Sequence, residues 1–236
     1  MPSGVLYLIP ASLDDASAAA TASPQTRELL ARLEVFIVEH AKTARRFLAT
    51  FPLAKPLAAL EFHLLNEHTS EATLPELLAP LKAGRDVGLL SEAGCPAVAD
   101  PGASLARLAH RAGIRVVPLV GPSSILLALM ASGLNGQRFR FHGYLPIERA
   151  ARVAAIRALE TEARSGETQI FIETPYRNLA LLNDLCASCA ADTLLCVASD
   201  LTAPGEQVYL RSIAQWARAD RSGLDRRPSV FLLGRE

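Results

Sequence analysis

Polar side chains that could do chemistry are concentrated in one short loop, residues 91–102. Ser91, Glu92 and Asp100 supply a hydroxyl and two carboxylates there, and glycine and proline make up much of the rest. An apolar run typical of a buried strand precedes the loop, and a helical pattern follows it. Open α/β sheets bind ligands in loops of this kind, at the carboxyl ends of their strands. The segment is therefore predicted to be a ligand-binding loop, with a tight turn that binds nothing as the alternative.

Four side chains are candidates for accepting a proton from a substrate, namely Asp100, Glu173, Glu39 and His40. Glu39 and His40 follow a short apolar run, so we expect them at the end of a strand on the functional edge of the sheet. Histidine is also the side chain most easily tuned near neutral pH. Structural alternatives remain for three of them: Asp100 would cap the following helix, Glu173 would pair with Arg177, and His40 would be a structural histidine.

A second turn, Gly121-Pro122-Ser123-Ser124, precedes an apolar segment with a helical pattern. Two hydroxyls and the free backbone N–H groups of a helix start can receive a carboxylate or a phosphate. The alternative is simple capping of the helix by Ser123 or Ser124.

The cysteines Cys186 and Cys189 have the two-residue gap of a zinc or redox pair. Neither a second pair nor a nearby histidine completes a set of four ligands. The pair also falls inside a helical pattern, where positions three apart share a face. We therefore expect buried structural thiols and no metal site.

Strand and helix patterns alternate through the first half of the chain, which predicts a mostly parallel α/β sheet. After Gly133 the strands follow one another more closely, which indicates a mixed second sheet. We therefore predict two α/β domains, residues 1–119 and residues 120–236. Within the first, residues 16–22 are expected to form a flexible loop, and Thr73 and Glu76 to form a capping box at the start of a helix.

Acidic and basic residues balance at 24 each, which excludes a wholly basic surface for nucleic acid. Local arginines could still contact phosphates, although solvated faces are their commoner role; they are Arg45, Arg46, Arg138, Arg140, Arg226 and Arg227. The N-terminal segment lacks the pattern of a signal peptide, and no apolar run reaches the roughly 18 residues of a membrane span. We expect a cytoplasmic protein that does not contact a membrane.

Five segments together resemble one family. They are Tyr7-Leu8-Ile9-Pro10, Leu90 to Gly102, Arg115 to Ser124, Phe141-His-Gly-Tyr-Leu-Pro146 and Phe171-Ile-Glu-Thr-Pro-Tyr-Arg177. The family is the tetrapyrrole methylase superfamily, the class III S-adenosylmethionine-dependent methyltransferases. Within it, the chain is most similar to the branch that methylates a ribose 2′-hydroxyl in small-subunit ribosomal RNA.

This resemblance implies two α/β domains with the methyl donor in a ligand cleft between them, and a homodimer. It implies S-adenosylmethionine as the cofactor and S-adenosylhomocysteine as its product. The donor contacts that it implies are Ser91, Ala93, Gly94, Val98, Ser123 and Ser124 in the first domain, and Leu145, Ile172, Ala198 and Leu201 in the second. A valine at Gly94 is expected to abolish donor binding while leaving the fold intact, because its side chain would fill space that the ligand needs.

The chain departs from the related RNA enzymes in the stretches that line the acceptor. It has Pro10-Ala-Ser-Leu-Asp-Asp-Ala16 in place of Pro-Thr-Pro-Ile-Gly-Asn-Leu, and Glu39-His-Ala-Lys42 in place of Glu-Asp-Thr-Arg. It also has Ser199-Asp-Leu-Thr-Ala203 for Arg-Glu-Leu-Thr-Lys, and Arg227-Pro-Ser229 for Lys-Gly-Glu. Two functions therefore stay open. One is a methyltransferase acting on ribosomal RNA; the other is an S-adenosylmethionine-binding protein whose acceptor specificity is lost or changed, with a small-molecule acceptor or a role as a sensor or partner subunit.

Overall fold

Five short runs form the sheet of the N-terminal unit, which ends at Ser123 in this computed structural model of residues 2–235. They are β1 (Leu6–Ile9), β2 (Val35–Val38), β3 (Glu61–Leu64), β4 (Val87–Leu90) and β5 (Val116–Pro118). Their order is β3-β2-β4-β1-β5 and every pairing is parallel. The predicted parallel sheet is confirmed, and the carboxyl ends of its strands consequently lie along one edge.

Helices pack against both faces of this sheet. They are α1 (Ala18–Thr21), α2 (Pro24–Arg32), α3 (Ala41–Leu48), α4 (Leu74–Leu77), α5 (Ala79–Lys82) and α6 (Ala103–Arg111). One core joins α2 and α3 to the side chains of Ile9, Phe36 and Val38. A second core joins α4, α5 and α6 to the alternate strand residues, such as Leu6 and Ile37. Burial on both faces explains why β2 and β4 are continuous apolar runs.

Two local predictions in this unit are wrong. Residues 16–22 do not form a flexible loop, because the Asp14 carboxylate accepts the Ala16 N–H at 2.9 Å and starts a 3₁₀ turn that runs into α1. Thr73 is the N-cap residue of α4, but its side chain makes no capping hydrogen bond, so the predicted capping box with Glu76 does not form. Ser70 caps a 3₁₀ turn at Glu71–Thr73, and the Thr73 hydroxyl donates back to the Ser70 carbonyl at 2.8 Å. In both cases a side chain just upstream caps the backbone earlier than the sequence pattern indicated.

The C-terminal unit begins at Ser124 and contains the second sheet of the described chain. Its strands are β6 (Phe139–Tyr144), β7 (Thr168–Glu173), β8 (Leu194–Ser199), β9 (Gln207–Ser212) and β10 (Ser229–Gly234). The order is β6-β7-β10-β8-β9; β6 pairs with β7 in parallel and the other pairings are antiparallel. The predicted mixed sheet is confirmed. The boundary between the two units falls between Ser123 and Ser124 along the chain. The sequence predicts it after Leu119.

Four helices accompany this second sheet within the described residues: α7 (Ser124–Ser132), α8 (Arg149–Arg164), α9 (Asn178–Ser188) and α10 (Ile213–Arg218). The core beneath α8, α9 and α10 contains the stacked rings of Phe171 and Phe231, with centroids 5.8 Å apart. Trp216 is also buried there and donates its indole N–H to the Leu195 carbonyl at 2.8 Å. Cys186 and Cys189 pack against this core, and burial raises the pKa of Cys189 to about 12.

Candidate active site

Three strand-end loops meet at the carboxyl edge of the N-terminal sheet. The segment after β1 joins the loop after β4 through Ala11, whose N–H donates to the Gly94 carbonyl at 2.9 Å, while the Gly94 N–H donates to the Ala11 carbonyl at 3.1 Å. The Cys95 thiol donates to the Pro122 carbonyl at 3.5 Å and so reaches the loop after β5. A Cβ at Gly121 would lie 2.4 Å from Pro10 Cβ, so only glycine permits this approach. The two signature turns therefore form one continuous surface.

The loop at 91–102 holds an uncommon backbone conformation. Gly94 has a φ of +73°, and two alanines also lie in the left-handed region, Ala97 at 67° and Ala99 at 60°. Left-handed non-glycine residues cost on the order of 1–3 kcal/mol each and are typical of ligand sites. The Ser91 hydroxyl donates to the Gly94 carbonyl at 3.1 Å and stabilises the turn from within. Such a loop exposes backbone groups at a fixed position.

Three carboxylates lie near one another at this edge, which the order of the strands explains. Glu39 follows β2, while Glu92 and Asp100 lie in the loop after the neighbouring strand β4. Burial, followed by the charges of Glu39 and Glu92, raises the pKa of Asp100 to about 6. Burial, followed by the charge of Glu92, also raises the pKa of Glu39. His40 Nδ1 lies 3.5 Å from Glu92 Oε1 and places a basic group beside the cluster.

Asp100 does not cap the following helix. Gly102 is the N-cap of α6, and no side chain hydrogen-bonds to that helix start. Among residues 2–235 the Asp100 carboxylate has no hydrogen-bond donor and no ion-pair partner. The structural alternative for Asp100 is thus absent from the described chain, and a half-buried carboxylate remains open to interact with a ligand.

A cavity of about 280 Å³ lies at the same edge of the N-terminal unit. Its walls come from residues 11–15, from α3 and from residues 90–93. Arg46 Nε lies 3.2 Å from Asp15 Oδ2 on this wall, and Thr43 and Glu92 add further polar groups. One of the segments that differ from the related RNA enzymes, residues 10–16, supplies part of this wall. The cavity is large enough for a small organic group and is lined by both polar and apolar atoms.

The candidate donor residues of the C-terminal unit lie in neighbouring positions of its sheet. Tyr144, just before Leu145, pairs with Ile172, and Ile172 and Ala198 flank the same residue of β10, Val230. The strands β6, β7 and β8 run in the same direction, so Leu145 and Leu201 follow their carboxyl ends. The structure thus brings these four residues to one edge of the second sheet.

Glu173 adopts the structural alternative expected for it. Its Oε2 lies 3.0 Å from Arg177 Nη2, and its Oε1 accepts the Thr174 N–H at 2.7 Å. The side chain is almost completely buried. A catalytic role for Glu173 remains a prediction, and in the described structure both of its oxygens face groups of its own unit.

No local sequence pattern indicates the buried ion pair between Arg152 and Asp184, and none indicates the partners of Arg227. Arg152 Nη2 lies 2.6 Å from Asp184 Oδ2, across 32 positions of sequence that no local pattern connects. Arg227 was a candidate for phosphate contact. Its donors instead reach Asp200 Oδ2 at 2.6 Å and Gln207 Oε1 at 2.8 Å, as well as the Gly205 carbonyl.

The fold and the site define an α/β protein with a ligand-binding edge formed by glycine-rich loops after parallel strands. Comparison with known proteins then gives the family. Residues 14–217 match the model of the tetrapyrrole (corrin/porphyrin) methylases. The chain belongs to this family, and it is an S-adenosylmethionine-dependent methyltransferase, as its resemblance predicted.

Two relatives named ribosomal RNA small subunit methyltransferase I are similar over most of the chain. The Escherichia coli O157:H7 protein is 32% identical over 222 residues, which are 93% of this chain and 74% of that protein. The Xylella fastidiosa protein is 37% identical over 193 residues, or 81% of this chain and 67% of that one.

Solved structures share the fold at lower identity. The methyltransferase CobJ has a TM-score of 0.65 at 20% identity, covering 99% of this chain and 95% of that one. Uroporphyrin-III C-methyltransferase from Thermus thermophilus, complexed with S-adenosylhomocysteine, has a TM-score of 0.59 at 18% identity, covering 98% and 97%. These likenesses support the fold class that the sequence predicted.

The residues of the N-terminal edge fit the chemistry of this methyl donor. S-adenosylmethionine carries positive charge on its sulfur and on its amino group, and the cluster of Glu39, Glu92 and Asp100 supplies complementary negative charge. Gly94 has no side chain, so its backbone groups can be approached closely. Asp100, which lacks a protein partner among the described residues, is available to interact with a bound group.

Proposed function

We propose that this methyltransferase transfers the methyl group of S-adenosylmethionine to a ribose hydroxyl of ribosomal RNA. Two relatives named ribosomal RNA small subunit methyltransferase I are 32% and 37% identical over most of the chain, and the ribose hydroxyl is what the family resemblance implies. The geometry contributes one observation that carries the chemistry: a half-buried carboxylate, Asp100, that has no partner among residues 2–235 and a pKa of about 6.

The donor is held, in this proposal, mainly by backbone groups. Ser91, Ala93, Gly94 and Val98 contribute from the loop after β4, Ser123 contributes from the turn before α7, and Ser124 is the first residue of that helix. The residues proposed from the C-terminal unit are Leu145, Ile172, Ala198 and Leu201. When bound, S-adenosylmethionine supplies an electrophilic methyl group on a positively charged sulfur. The protein's main task is then to align the acceptor oxygen with that methyl group.

Asp100 acts as the proton acceptor in this scheme. A hydroxyl that attacks a methyl group must lose its proton as the new bond forms, and a base with a pKa close to the working pH serves best. A carboxylate with a pKa of about 6 is mostly ionised at neutral pH and is more basic than an ordinary aspartate. Burial, followed by the charges of Glu39 and Glu92, maintains the raised pKa of Asp100.

A changed acceptor is the second candidate function, and the cavity in the N-terminal unit favours it. Its wall carries Asp14, Asp15 and Glu92, and its arginine, Arg46, is already paired with Asp15. An RNA phosphate is repelled by uncompensated carboxylates. A small neutral or cationic acceptor suits this wall better.

Transfer of a radioactive methyl group distinguishes the two functions. The protein is incubated with S-adenosylmethionine labelled in its methyl group and with small ribosomal subunits, free small-subunit RNA or a protein-free small-molecule extract. Label in an alkali-resistant dinucleotide from the RNA supports ribose methylation, since a methylated 2′-oxygen blocks cleavage. Label only in the extract, or in no product, contradicts the ribosomal acceptor. The Asp100→Asn variant is the control: it is expected to bind the donor and to transfer roughly 10²–10⁴ times more slowly.

We also propose that the protein works as a homodimer in the cytoplasm, on the basis of its resemblance to the family. Within residues 2–235, no helix is both long and apolar enough to cross a membrane. Sedimentation equilibrium of the purified protein at micromolar concentration tests the dimer, because a single species of 25.2 kDa contradicts it.

A further inference from the structure

A buried arginine in the C-terminal unit connects an ion pair to the backbone of a loop. Arg152 lies in α8 and Asp184 in α9, with only 6% and 4% of their surfaces exposed. Arg152 donates from Nε at 2.9 Å and from Nη2 at 2.6 Å to Asp184 Oδ2. Its remaining nitrogen, Nη1, donates to the Ile147 carbonyl at 2.7 Å and lies 3.5 Å from the Pro146 carbonyl.

A contribution to the stability of the fold is a weak explanation for the buried pair of Arg152 and Asp184. Burying two charges is costly, and an apolar pair of similar volume is often equally stable in their place. What an apolar pair cannot do is donate hydrogen bonds to the two carbonyls at 146 and 147. The contacts with the loop are therefore the feature that distinguishes this ion pair from simple core packing.

The loop held in this way connects β6 to α8. Its first residue, Leu145, is buried, whereas Ile147 is 78% exposed and contributes little packing of its own. At its end, the Glu148 carboxylate accepts the Ala150 N–H at 2.9 Å and the Ala151 N–H at 2.7 Å. Arg152 thus fixes the middle of the segment and Glu148 fixes its end, so the course of the main chain from 145 to 148 is set by charged side chains.

We propose that Arg152, oriented by Asp184, is a positioning residue for the methyl donor: it fixes the backbone at 145–147 so that Leu145 meets the donor in a preset conformation. This inference rests on the proposed function, which assigns Leu145 to the donor site. A loop fixed before binding loses less conformational freedom when the ligand arrives, which raises affinity without a new contact.

A neighbouring arginine supplies a matched control. Arg149 Nε also donates to Asp184, at 3.0 Å from Oδ1, but its side chain is 75% exposed. Within residues 2–235, Arg149 donates no hydrogen bond to the carbonyls of 146 and 147. Removing Arg149 therefore weakens the same ion-pair cluster without releasing the loop.

The decisive variant is the double replacement Arg152→Met with Asp184→Leu. It removes both charges together, so neither is left buried without a partner, and the fold is expected to persist with an unchanged melting temperature. Binding of S-adenosylhomocysteine by calorimetry is expected to weaken roughly tenfold, the equivalent of one or two lost hydrogen bonds to the loop. Amide hydrogen exchange at Ala150 and Ala151, whose N–H groups are held by Glu148 at the end of this loop, is expected to accelerate. Arg149→Gln should change neither property.

A second variant keeps the test valid if the double replacement does not fold. Arg152→Lys retains a charge beside Asp184 but lacks the planar fork that reaches carboxylate and carbonyls together. It is expected to show an intermediate loss of affinity and faster exchange in the loop.

Three outcomes are separable. A folded variant with wild-type affinity and wild-type exchange overturns the positioning role and leaves the proposed function standing. Faster exchange with unchanged affinity also overturns the role, since the loop would move without affecting the ligand. Failure of the wild-type protein itself to bind S-adenosylhomocysteine overturns the proposed function and, with it, this inference.

Discussion

Ala11 and Gly94 exchange a pair of backbone hydrogen bonds, at 2.9 and 3.1 Å, that join the loop after β1 to the loop after β4. The first loop is one in which the chain differs from the related RNA enzymes, and the second carries the family signature. The path of the main chain at Ala11 therefore helps to fix the conformation of Gly94. In the proposed function, these hydrogen bonds would join the acceptor side of the site to the donor side.

Gly94 provides the first prediction. Its φ of +73° lies in the left-handed region, where an ordinary side chain costs roughly 1–2 kcal/mol. Gly94→Ala is therefore expected to lower the free energy of unfolding by about that amount in urea titrations, although the new Cβ would lie 3.5 Å from Leu13 Cδ2 and so has room. Gly94→Asn should lose less stability, because asparagine tolerates this conformation better. Equal losses for both would show that backbone strain is not the cause.

The same geometry corrects the expectation for Gly94→Val. A β-branched residue at this φ strains the backbone, so loss of donor binding in that variant would not by itself locate the ligand. Gly94→Asn is the better probe, since it adds a side chain at a smaller cost to the fold. Retained stability with lost binding of S-adenosylhomocysteine would support the placement of the donor at this loop.

The pKa of Asp100 gives the second prediction, a pH-dependent rate. Because the pKa of Asp100 in the ligand-free protein is about 6, kcat/KM for methyl transfer is expected to fall as the pH drops through 6 and the carboxylate takes up a proton. Glu39→Gln removes a neighbouring negative charge, so the pKa of Asp100 should fall and the acid limb should move to lower pH. Glu34→Gln, at the opposite end of β2, should leave the profile in place. An unmoved acid limb in Glu39→Gln would contradict the coupling.

Stability should depend on pH at the same residue, and the sign can be worked out. The folded-state pKa of Asp100, about 6, lies above its ordinary value of 3.8, so between these values the folded protein binds more protons than the unfolded chain. The contribution of Asp100 to stability therefore decreases as the pH rises from about 4 to about 6. Asp100→Asn should be more stabilising at pH 8 than at pH 4.5, relative to the wild type, in urea titrations at the two values. A difference of the opposite sign would mean that Asp100 has a favourable charged partner.

Most of the fold can be predicted from the sequence, and so can the part of the site that lies at the carboxyl edge of the N-terminal sheet. The apolar runs 35–38 and 87–90 form strands at the predicted places. A strand that is buried on both faces of a parallel sheet needs apolar side chains at every position, so a continuous apolar run predicts it. The carboxyl-edge rule then placed Glu39 close to Asp100. What the sequence could not supply is the order of the strands, since pairing of β2 with β4 depends on contacts about fifty positions apart.

Polar contacts between residues far apart in the sequence could not be predicted either. Ser199 and Ser229 belong to two different segments in which the chain departs from the related RNA enzymes. The structure places them directly opposite each other on β8 and β10, with their hydroxyl oxygens 2.8 Å apart in a shared hydrogen bond. The pair of Arg152 and Asp184 was likewise invisible, because neither residue belongs to a recognisable motif. Such partners become evident only once the helices and strands that carry them are packed.

Arg227 gives the last prediction and tests whether it belongs to the fold or to an RNA surface. Its guanidinium fixes the segment between β8 and β9 through Asp200 and Gln207, and Asp200 itself has a left-handed φ of 50°. Arg227→Gln leaves the largely buried Asp200 carboxylate without its partner, so a loss of about 1–3 kcal/mol in unfolding free energy is expected. The adjacent Arg226→Gln should cost less than about 0.5 kcal/mol. If Arg227 instead contacts RNA phosphate, its variant would keep full stability while the salt dependence of RNA binding became shallower by about one unit.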